Sequence, residues 1–136
     1  MQMKRKAIVL DSWSIIAYLE DEPAAQKVED IILHAHEHKI PLITTVVNAG
    51  EVWYILARGT SPAEADAGIA GLQRLGIEFV VADWPLTKTA AAFKSKHKMS
   101  YADCFAAACA KLKQADLVTG DPEFKQVEKD ITVHWI

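Results

Sequence analysis

The hydrophobic and polar positions of the chain follow two different periods. Short apolar runs are typical of buried strands, and they occur at Lys6–Leu10, Leu42–Thr44, Glu78–Val81 and Ala115–Thr119, with Thr132–Ile136 as a candidate last strand. Between them, apolar residues recur every three to four positions, which predicts helices. These cover Ser12–Glu20, Ala24–His38, Val46–Arg58, Pro62–Leu75, Leu86–Lys98 and Tyr101–Leu112, with a short helix after Pro122.

Capping residues support several of these boundaries. Ser61 is followed by proline and then by Glu64, which is the pattern of a capped helix start. Thr45 and Ser100 are candidate caps for the next helices, and Gly76 is a candidate stop. Strands that alternate with helices long enough for crossovers predict an α/β fold, with a parallel sheet between helices. The length of 136 residues predicts one domain over residues 1–136.

Composition and charge narrow the function. The chain is 51% hydrophobic and 24% charged, as in globular proteins, and its net charge is −3. General nucleic-acid binders carry a basic excess, so any contact with nucleic acid must be local or assisted by metal ions. The apolar run Ala7–Leu10 is too short for a signal peptide core or a membrane span. Cys104 and Cys109 form no C-x-x-C pair, and we expect a soluble, cytoplasmic protein.

Two aspartates directly follow predicted strands. Asp11 comes after Ala7–Leu10, and Asp121 comes shortly after Thr119. In an open parallel sheet, sites form at the carboxyl ends of strands near the point where strand order reverses. The two carboxylates are therefore expected to meet there. The alternative is that each aspartate only caps the helix that follows it.

Two more acids lie in predicted helices that are otherwise mostly apolar. Glu51 shares its helix with one other charge, Arg58, and both lie on the stripe of Asn48 and Tyr54. A carboxylate in so apolar a helix needs a partner, and the alternative to a site is a Glu51–Arg58 ion pair or an exposed stripe. Asp103 is the only charge between Tyr101 and Ala110. Its alternative role is a capping box with Ser100, which does not prevent its carboxylate from facing the site.

Taken together, the four acids predict a metal site. Converging carboxylates without fixed cations repel one another, which raises their pKa values. A divalent ion such as Mg²⁺ removes this repulsion by binding carboxylates, water and phosphate oxygens. Such a site suits hydrolysis of phosphodiesters.

Four segments give the chain a family resemblance. It resembles the PIN-domain family, and within it the VapC toxins of toxin–antitoxin pairs. The segments are IVLDSWSIIAYLEDEP, TTVVNAGEVWY, SYADCFAAACA and LVTGDPEF. The resemblance implies a three-layer α/β/α sandwich and an Mg²⁺- or Mn²⁺-dependent endoribonuclease. It also implies a homodimer that binds a VapB-like antitoxin.

The resemblance also implies roles for individual residues. Carried over by position, the acidic metal and catalytic site is Asp11, Glu51, Asp103 and Asp121, and its polar supports are Ser12, Asn48 and Thr119. Trp13 is bulkier than the Ser or Asn common there in the family, and it is a candidate for stacking on a base. The further candidate substrate contacts are Arg58, Lys94, Lys96 and Lys98. The three lysines equally suit a solvated helix end, where cations are favourable.

Other functions remain open on the sequence alone. One alternative is a PIN-domain RNA-processing nuclease that has no antitoxin. Others are an aspartate-based phosphotransferase, although its usual D-x-D is interrupted by Trp13, and a non-catalytic RNA-binding module. His34 and His38 lie one helical turn apart, but without an H-E-x-x-H pattern we do not expect a metal there.

Overall fold

A computed structural model describes residues 7–136. Its centre is a five-stranded sheet in the order β3-β2-β1-β4-β5, and every neighbouring pair is parallel. The strands are β1 (Ile8–Leu10), β2 (Leu42–Thr45), β3 (Ile77–Val80), β4 (Asp116–Thr119) and β5 (Thr132–Trp135). The predicted parallel sheet and its candidate last strand are confirmed.

Within residues 7–136, six α-helices and one 3₁₀-helix connect these strands. They are α1 (Ser12–Leu19), α2 (Ala25–Glu37), α3 (Val46–Gly59), α4 (Pro62–Arg74), α5 (Trp84–Lys96), α6 (Tyr101–Lys113) and the 3₁₀-helix η1 (Pro122–Val127). Gly76 follows the end of α4, as predicted. Its φ of +82° lies in the left-handed region, which favours glycine. No helix among residues 7–136 is both long and apolar enough to cross a membrane.

Helices cover both faces of the sheet, which confirms the three-layer α/β/α sandwich. Alternate residues of β1 belong to different cores, since side chains of a strand point to opposite faces. Val9 packs with residues of α5, α6 and η1. Ile8 and Leu10 pack with residues of α1, α2, α3 and α4. All three are fully buried, so β1 has no polar face and reads as one apolar run.

Two boundaries differ from their predictions in informative ways. Helix α5 begins at Trp84 rather than Leu86, because Asp83 accepts a hydrogen bond from the Leu86 amide and caps the helix. Pro85 stands in its first turn, where a missing amide hydrogen costs nothing. Strand β3 is shifted one residue earlier than predicted, and Val81 is exposed beyond its end. The proposed start of the first strand at Lys6 lies outside the described residues.

The order of the strands places the functional edge. From β1 the chain moves outward through β2 to β3, and it then returns to the other side of β1 for β4 and β5. The strand order therefore reverses between β1 and β4, where open α/β sheets bind ligands at their carboxyl ends. Asp11 and Asp121 both follow strands at this edge.

Candidate active site

Asp11 leaves β1 and is completely buried at the head of α1. One carboxylate oxygen accepts a hydrogen bond from the Ser14 amide at 2.8 Å, which is the predicted helix cap. The other accepts a bond from the Thr119 hydroxyl at 2.6 Å. Asp11 therefore caps its helix and also binds the neighbouring strand β4. It is not among the described acids that line the cavity at this edge, so its predicted role as a metal ligand stays a prediction.

The environment of Asp11 opposes its negative charge. Burial raises the pKa of Asp11 to about 6, even though the hydrogen bonds from Thr119 and Ser14 act in the opposite direction. The negative charge of Asp121 adds to the increase. Asp121 is thus close enough to Asp11 for the two charges to interact, as their positions after adjacent strands predicted.

Asp103 combines a capping pattern with a place in the site. Its backbone amide donates to the Ser100 hydroxyl at 3.1 Å, as predicted for the start of α6. Its side chain is only 7% exposed, and burial is the largest cause that raises its pKa to about 8. A hydrogen bond with the Glu123 carboxyl and the charges of Asp121 and Asp11 act in the same direction.

Asp121 and Glu123 complete a group of three carboxyls. One oxygen from each of Asp103, Asp121 and Glu123 lies within 4.8 Å of the others. Asp121 is held by its own turn: its amide donates to the Thr119 hydroxyl at 3.0 Å, and its carboxylate accepts from the Glu123 amide at 2.9 Å. Glu123 was missed by the sequence interpretation. It lies two residues after Asp121 within the quoted LVTGDPEF segment, and that proximity was the available signal.

Glu51 approaches from the opposite side, on α3. It lines the same cavity as Asp103, Asp121 and Glu123, whose volume is about 410 Å³. The Tyr54 hydroxyl donates to its carboxylate at 3.4 Å, and the Arg58 guanidinium lies 5.0 Å from the centre of the Tyr54 ring. Residues 7–136 contain no Glu51–Arg58 ion pair, so that alternative for Glu51 finds no support.

A buried amide joins the elements that carry these acids. The Asn48 side chain donates to the Ser12 hydroxyl and to the Ala102 carbonyl, each at 3.1 Å. Its oxygen accepts from the Thr45 hydroxyl at 2.6 Å. Ser12 follows Asp11, and Ala102 precedes Asp103. Asn48 therefore fixes α1 and α6 to the start of α3, one turn before Glu51, which fits the supporting roles implied for Ser12 and Asn48.

The candidate substrate contacts are distributed differently. Trp13 lines the acidic cavity, whereas Arg58 and the lysines do not. The Lys94 ammonium donates to the Met99 carbonyl at 2.6 Å, so it stabilises the loop before α6. Lys96 lines a separate cavity of about 80 Å³, and the backbone of Lys98 is bonded to the Gln126 side chain.

The histidines of α2 make ordinary structural contacts. The rings of His34 and His38 lie 4.1 Å apart, and the His38 ring is bonded to the His34 carbonyl. His36 is bonded to the Leu75 carbonyl at 2.7 Å, at the end of α4.

The donor set of the cavity fits a divalent, oxygen-preferring ion. Five carboxylates line it, from Glu22, Glu51, Asp103, Asp121 and Glu123, and none of its described lining residues is basic. The pKa of Asp103 is raised chiefly by burial, and the negative charges of Asp121 and Asp11 add to the increase. Carboxylates gathered in this way favour binding of Mg²⁺ or Mn²⁺, which take oxygen ligands.

Comparison with known proteins decides the family. The sequence model of the PIN domain matches residues 8–130, which is most of the chain and includes every acid of the cavity. The chain belongs to the PIN-domain family. The comparison with curated proteins finds no matching relative.

Solved structures share this PIN fold at low sequence identity. VapBC2 from Rickettsia felis is 11% identical with a TM-score of 0.78, covering 94% of this chain and 97% of that one. VapBC from Salmonella typhimurium is 15% identical with a TM-score of 0.77, covering 94% and 96%. VapC20 from Mycobacterium tuberculosis is 17% identical with a TM-score of 0.72, covering 89% and 95%. At these identities the likeness establishes the fold alone.

Proposed function

We propose that this PIN domain is a metal-dependent endoribonuclease. The observation that carries the proposal is the cavity at the carboxyl edge of the sheet. It is lined by five carboxylates, and three of them have oxygens within 4.8 Å of one another. A negatively charged phosphodiester cannot approach such a cavity unaided, because like charges repel at short range. A divalent ion reverses the sign of the local field and makes the cavity a site for phosphate.

The residues have distinct parts in this proposal. Asp103, Asp121 and Glu123 would hold the ion, with Glu51 facing it across the cavity. When bound, such an ion activates water and stabilises charge on the attacking and leaving oxygens. The chain itself supplies the orientation of the acids. Thr119 donates to the Asp11 carboxylate and accepts from the Asp121 amide, so one hydroxyl fixes the two aspartates at the ends of β1 and β4.

The geometry disfavours an aspartate-based phosphotransferase. A nucleophilic carboxylate must reach the phosphorus atom, and Asp11 is completely buried. Both of its oxygens are already engaged, by Ser14 and by Thr119. These bonds suit a fixed acid that supports a site better than one that becomes phosphorylated. The non-catalytic RNA-binding alternative is decided by the cleavage assay described below.

The substrate and the partner are proposed from the structural relatives. VapC20 is described as a toxin that cleaves the sarcin–ricin loop, and the VapBC structures from R. felis and S. typhimurium are bound to DNA. By analogy we propose that this chain is the RNA-cleaving toxin of a pair, that it acts in the cytoplasm, and that a VapB-like antitoxin restrains it. We also propose a homodimer. The exposed apolar side chains of Val46, Tyr54 and Ile55 on α3 offer surface for such contacts. A neighbouring reading frame that encodes no small DNA-binding protein would count against the toxin assignment.

The remaining candidate RNA contacts lie outside the acidic cavity. Arg58, Lys96 and Lys98 are exposed, so we propose them as contacts for more distant phosphates. The ammonium of Lys94 already has the Met99 carbonyl as its partner, which makes it the weakest of these candidates.

The test is cleavage of single-stranded RNA by purified protein. We expect cleavage with Mg²⁺ or Mn²⁺ and its loss in EDTA. Asp121→Asn should lower the cleavage rate at least about a hundredfold, because the ion supplies several kcal/mol of stabilisation and each 1.4 kcal/mol is a factor of ten.

Asp130→Asn is the matched control, since Asp130 is an exposed aspartate outside the acidic cavity. It should retain the wild-type rate within about twofold. Full activity in EDTA would refute the metal mechanism. The absence of cleavage with either ion would favour the non-catalytic alternative.

A further inference from the structure

Trp13 stands between two cavities. It lies in the first turn of α1, two residues after Asp11. On one side is the acidic cavity of about 410 Å³. On the other is a cavity of about 320 Å³, lined by Trp13, Glu22, Pro23, Ala24, Lys27 and Ile136. The indole therefore borders both the proposed cleavage site and a second space, and Glu22 also lines both.

The indole lies in close contact with Gly120. A Cβ atom at residue 120 would lie 2.3 Å from the Cη2 atom of Trp13 and 2.6 Å from its Cζ3 atom. Real Cβ atoms essentially never approach so closely, and Gly120 is not among the glycines with positive φ. With the indole in this position, glycine is therefore favoured here for space and not for backbone conformation. The contact places the indole beside the turn that carries Asp121.

The ring nevertheless remains accessible. Trp13 is 36% exposed, although the residues on either side of it, Ser12 and Ser14, are buried. An exposed aromatic surface beside the proposed cleavage site is suited to stacking on a nucleobase.

The linings of the two cavities differ. The acidic cavity would hold the scissile phosphate through its metal ion. The described lining of the second cavity is apolar at Pro23, Ala24 and Ile136, and it contains one cation, Lys27, and one acid, Glu22, which also lines the first cavity. Apolar walls suit a base, and an exposed lysine suits the next phosphate along the strand.

We propose that Trp13 is the stacking platform for a single RNA base next to the scissile phosphate, and that the second cavity receives this nucleotide. This inference rests on the proposed function, because the scissile phosphate defines which nucleotide is meant. It makes Trp13 a residue that binds one position of the RNA, in addition to the metal-binding acids.

A double-mutant cycle between protein and RNA tests the proposal. The substrate is a short single-stranded RNA with one mapped cleavage site, and single abasic nucleotides replace the residues on either side of it. With wild-type protein, one of these abasic positions should lower kcat/KM by about 5- to 150-fold, the range for loss of one base–aromatic stack. With Trp13→Ala the same abasic position should change kcat/KM by less than about twofold, because the platform is already absent.

Two further variants separate stacking from structural disturbance. Trp13→Phe keeps an aromatic face, so it should retain most of the wild-type response. Trp135→Phe is the matched control: Trp135 is 37% exposed, and it lines neither cavity. A stacking role should raise KM and leave kcat within about twofold, whereas displacement of Asp121 through Gly120 would lower kcat.

The outcomes decide the proposal in either case. Equal losses in wild type and Trp13→Ala at every abasic position would overturn it, as would a loss confined to kcat. If the wild-type protein cleaves no RNA, the proposed function fails separately, and quenching of tryptophan fluorescence by the same RNA then tests stacking. Quenching that disappears in Trp13→Phe but persists in Trp135→Phe supports the platform. Equal quenching in both variants, or no quenching in the wild type, overturns it.

Discussion

Two cavities of similar size lie at opposite edges of the sheet, and their charges differ. The cavity at the carboxyl edge has a volume of about 410 Å³ and the one at the amino ends of β4 and β5 about 360 Å³. In the second cavity the acids Asp116, Glu128 and Asp130 are accompanied by Lys111 and Lys129. The described lining of the first cavity contains five acids and no lysine or arginine.

This difference shows which property marks the site. A cavity of either size can hold a small ligand, so volume does not separate the two edges. The charge of the lining does separate them. Carboxylates that lie close together are unfavourable unless a bound cation neutralises them. At the carboxyl edge, the charges of Asp121 and Asp11 add to the effect of burial in raising the pKa of Asp103.

The largest expected effect is in the response of Asp103→Asn to metal. In EDTA this variant should be at least as stable as wild type, because burial and the charges of Asp121 and Asp11 make ionised Asp103 unfavourable in the folded protein, and asparagine does not ionise. Mg²⁺ at a hundredfold excess over its Kd should stabilise the wild type by about 2.7 kcal/mol, and the variant by much less. Thermal melts with and without Mg²⁺ measure this.

The comparison with the other edge supplies the control for Asp103→Asn. Asp130→Asn should keep the full Mg²⁺ response. If Asp103→Asn instead loses the same stability with and without Mg²⁺ and still cleaves RNA, Asp103 serves only to cap α6.

The next effect concerns pH in the absence of metal. The pKa values of Asp11 and Asp103 are raised from 3.8 to about 6 and about 8. Between pH 4 and these values the folded protein binds more protons than the unfolded chain, so its stability falls as pH rises, by at most about 1.4 kcal/mol per pH unit for each group. Below about pH 4 these carboxyls are protonated in both the folded and the unfolded protein, so this loss of stability is absent. Chemical unfolding in EDTA at several pH values measures the slope.

Asp103→Asn should flatten this slope between pH 6 and 8, where Asp103 titrates and Asp11 has largely ionised. The amino-edge variant Asp130→Asn should leave it unchanged. A slope that is the same in all three proteins would show that folding does not raise the pKa of Asp103.

The smallest effect concerns Glu123, the most exposed of the three clustered acids. Glu123→Gln should weaken Mg²⁺ binding about tenfold, the low end of the range for residues that support a metal site. Its stability in EDTA should change little. Calorimetric titration of Mg²⁺ measures the affinity, and Glu128→Gln at the amino edge is the matched control. If the two variants bind Mg²⁺ equally well, Glu123 is not part of the metal site.

Much of this arrangement could be predicted because the relevant signals are local. Asp11 directly follows an apolar strand, and Asp103 is the only charge in most of a helix, so both stand out without any knowledge of the fold. The layers and the parallel sheet follow from alternating strand and helix patterns. The Thr119 bond to Asp11 spans 108 residues, however, and its existence depends on β1 and β4 being neighbours.

Glu123 and Lys94 show where local signals fail. Glu123 follows a proline in the first turn of a helix, where acids are common because they favour the helix dipole. Its position two residues after Asp121 is the one signal that distinguishes it from such an acid. Lys94 belongs to a basic run at a helix end, and the sequence does not reveal that the Met99 carbonyl accepts its hydrogen bond. In both cases the deciding partner is set by tertiary packing.

The hydrogen bonds of the buried Asn48 side chain define the orientation of its amide group. Its nitrogen end serves the acceptors on α1 and α6, and its oxygen end serves the hydroxyl of Thr45. Aspartate has nearly the same shape but no donors when ionised, so at this position it would turn an attractive contact with the Ala102 carbonyl into a repulsive one. A residue of similar size is therefore not an adequate replacement here. Position 48 needs a side chain that donates at one end and accepts at the other, which asparagine does and ionised aspartate does not.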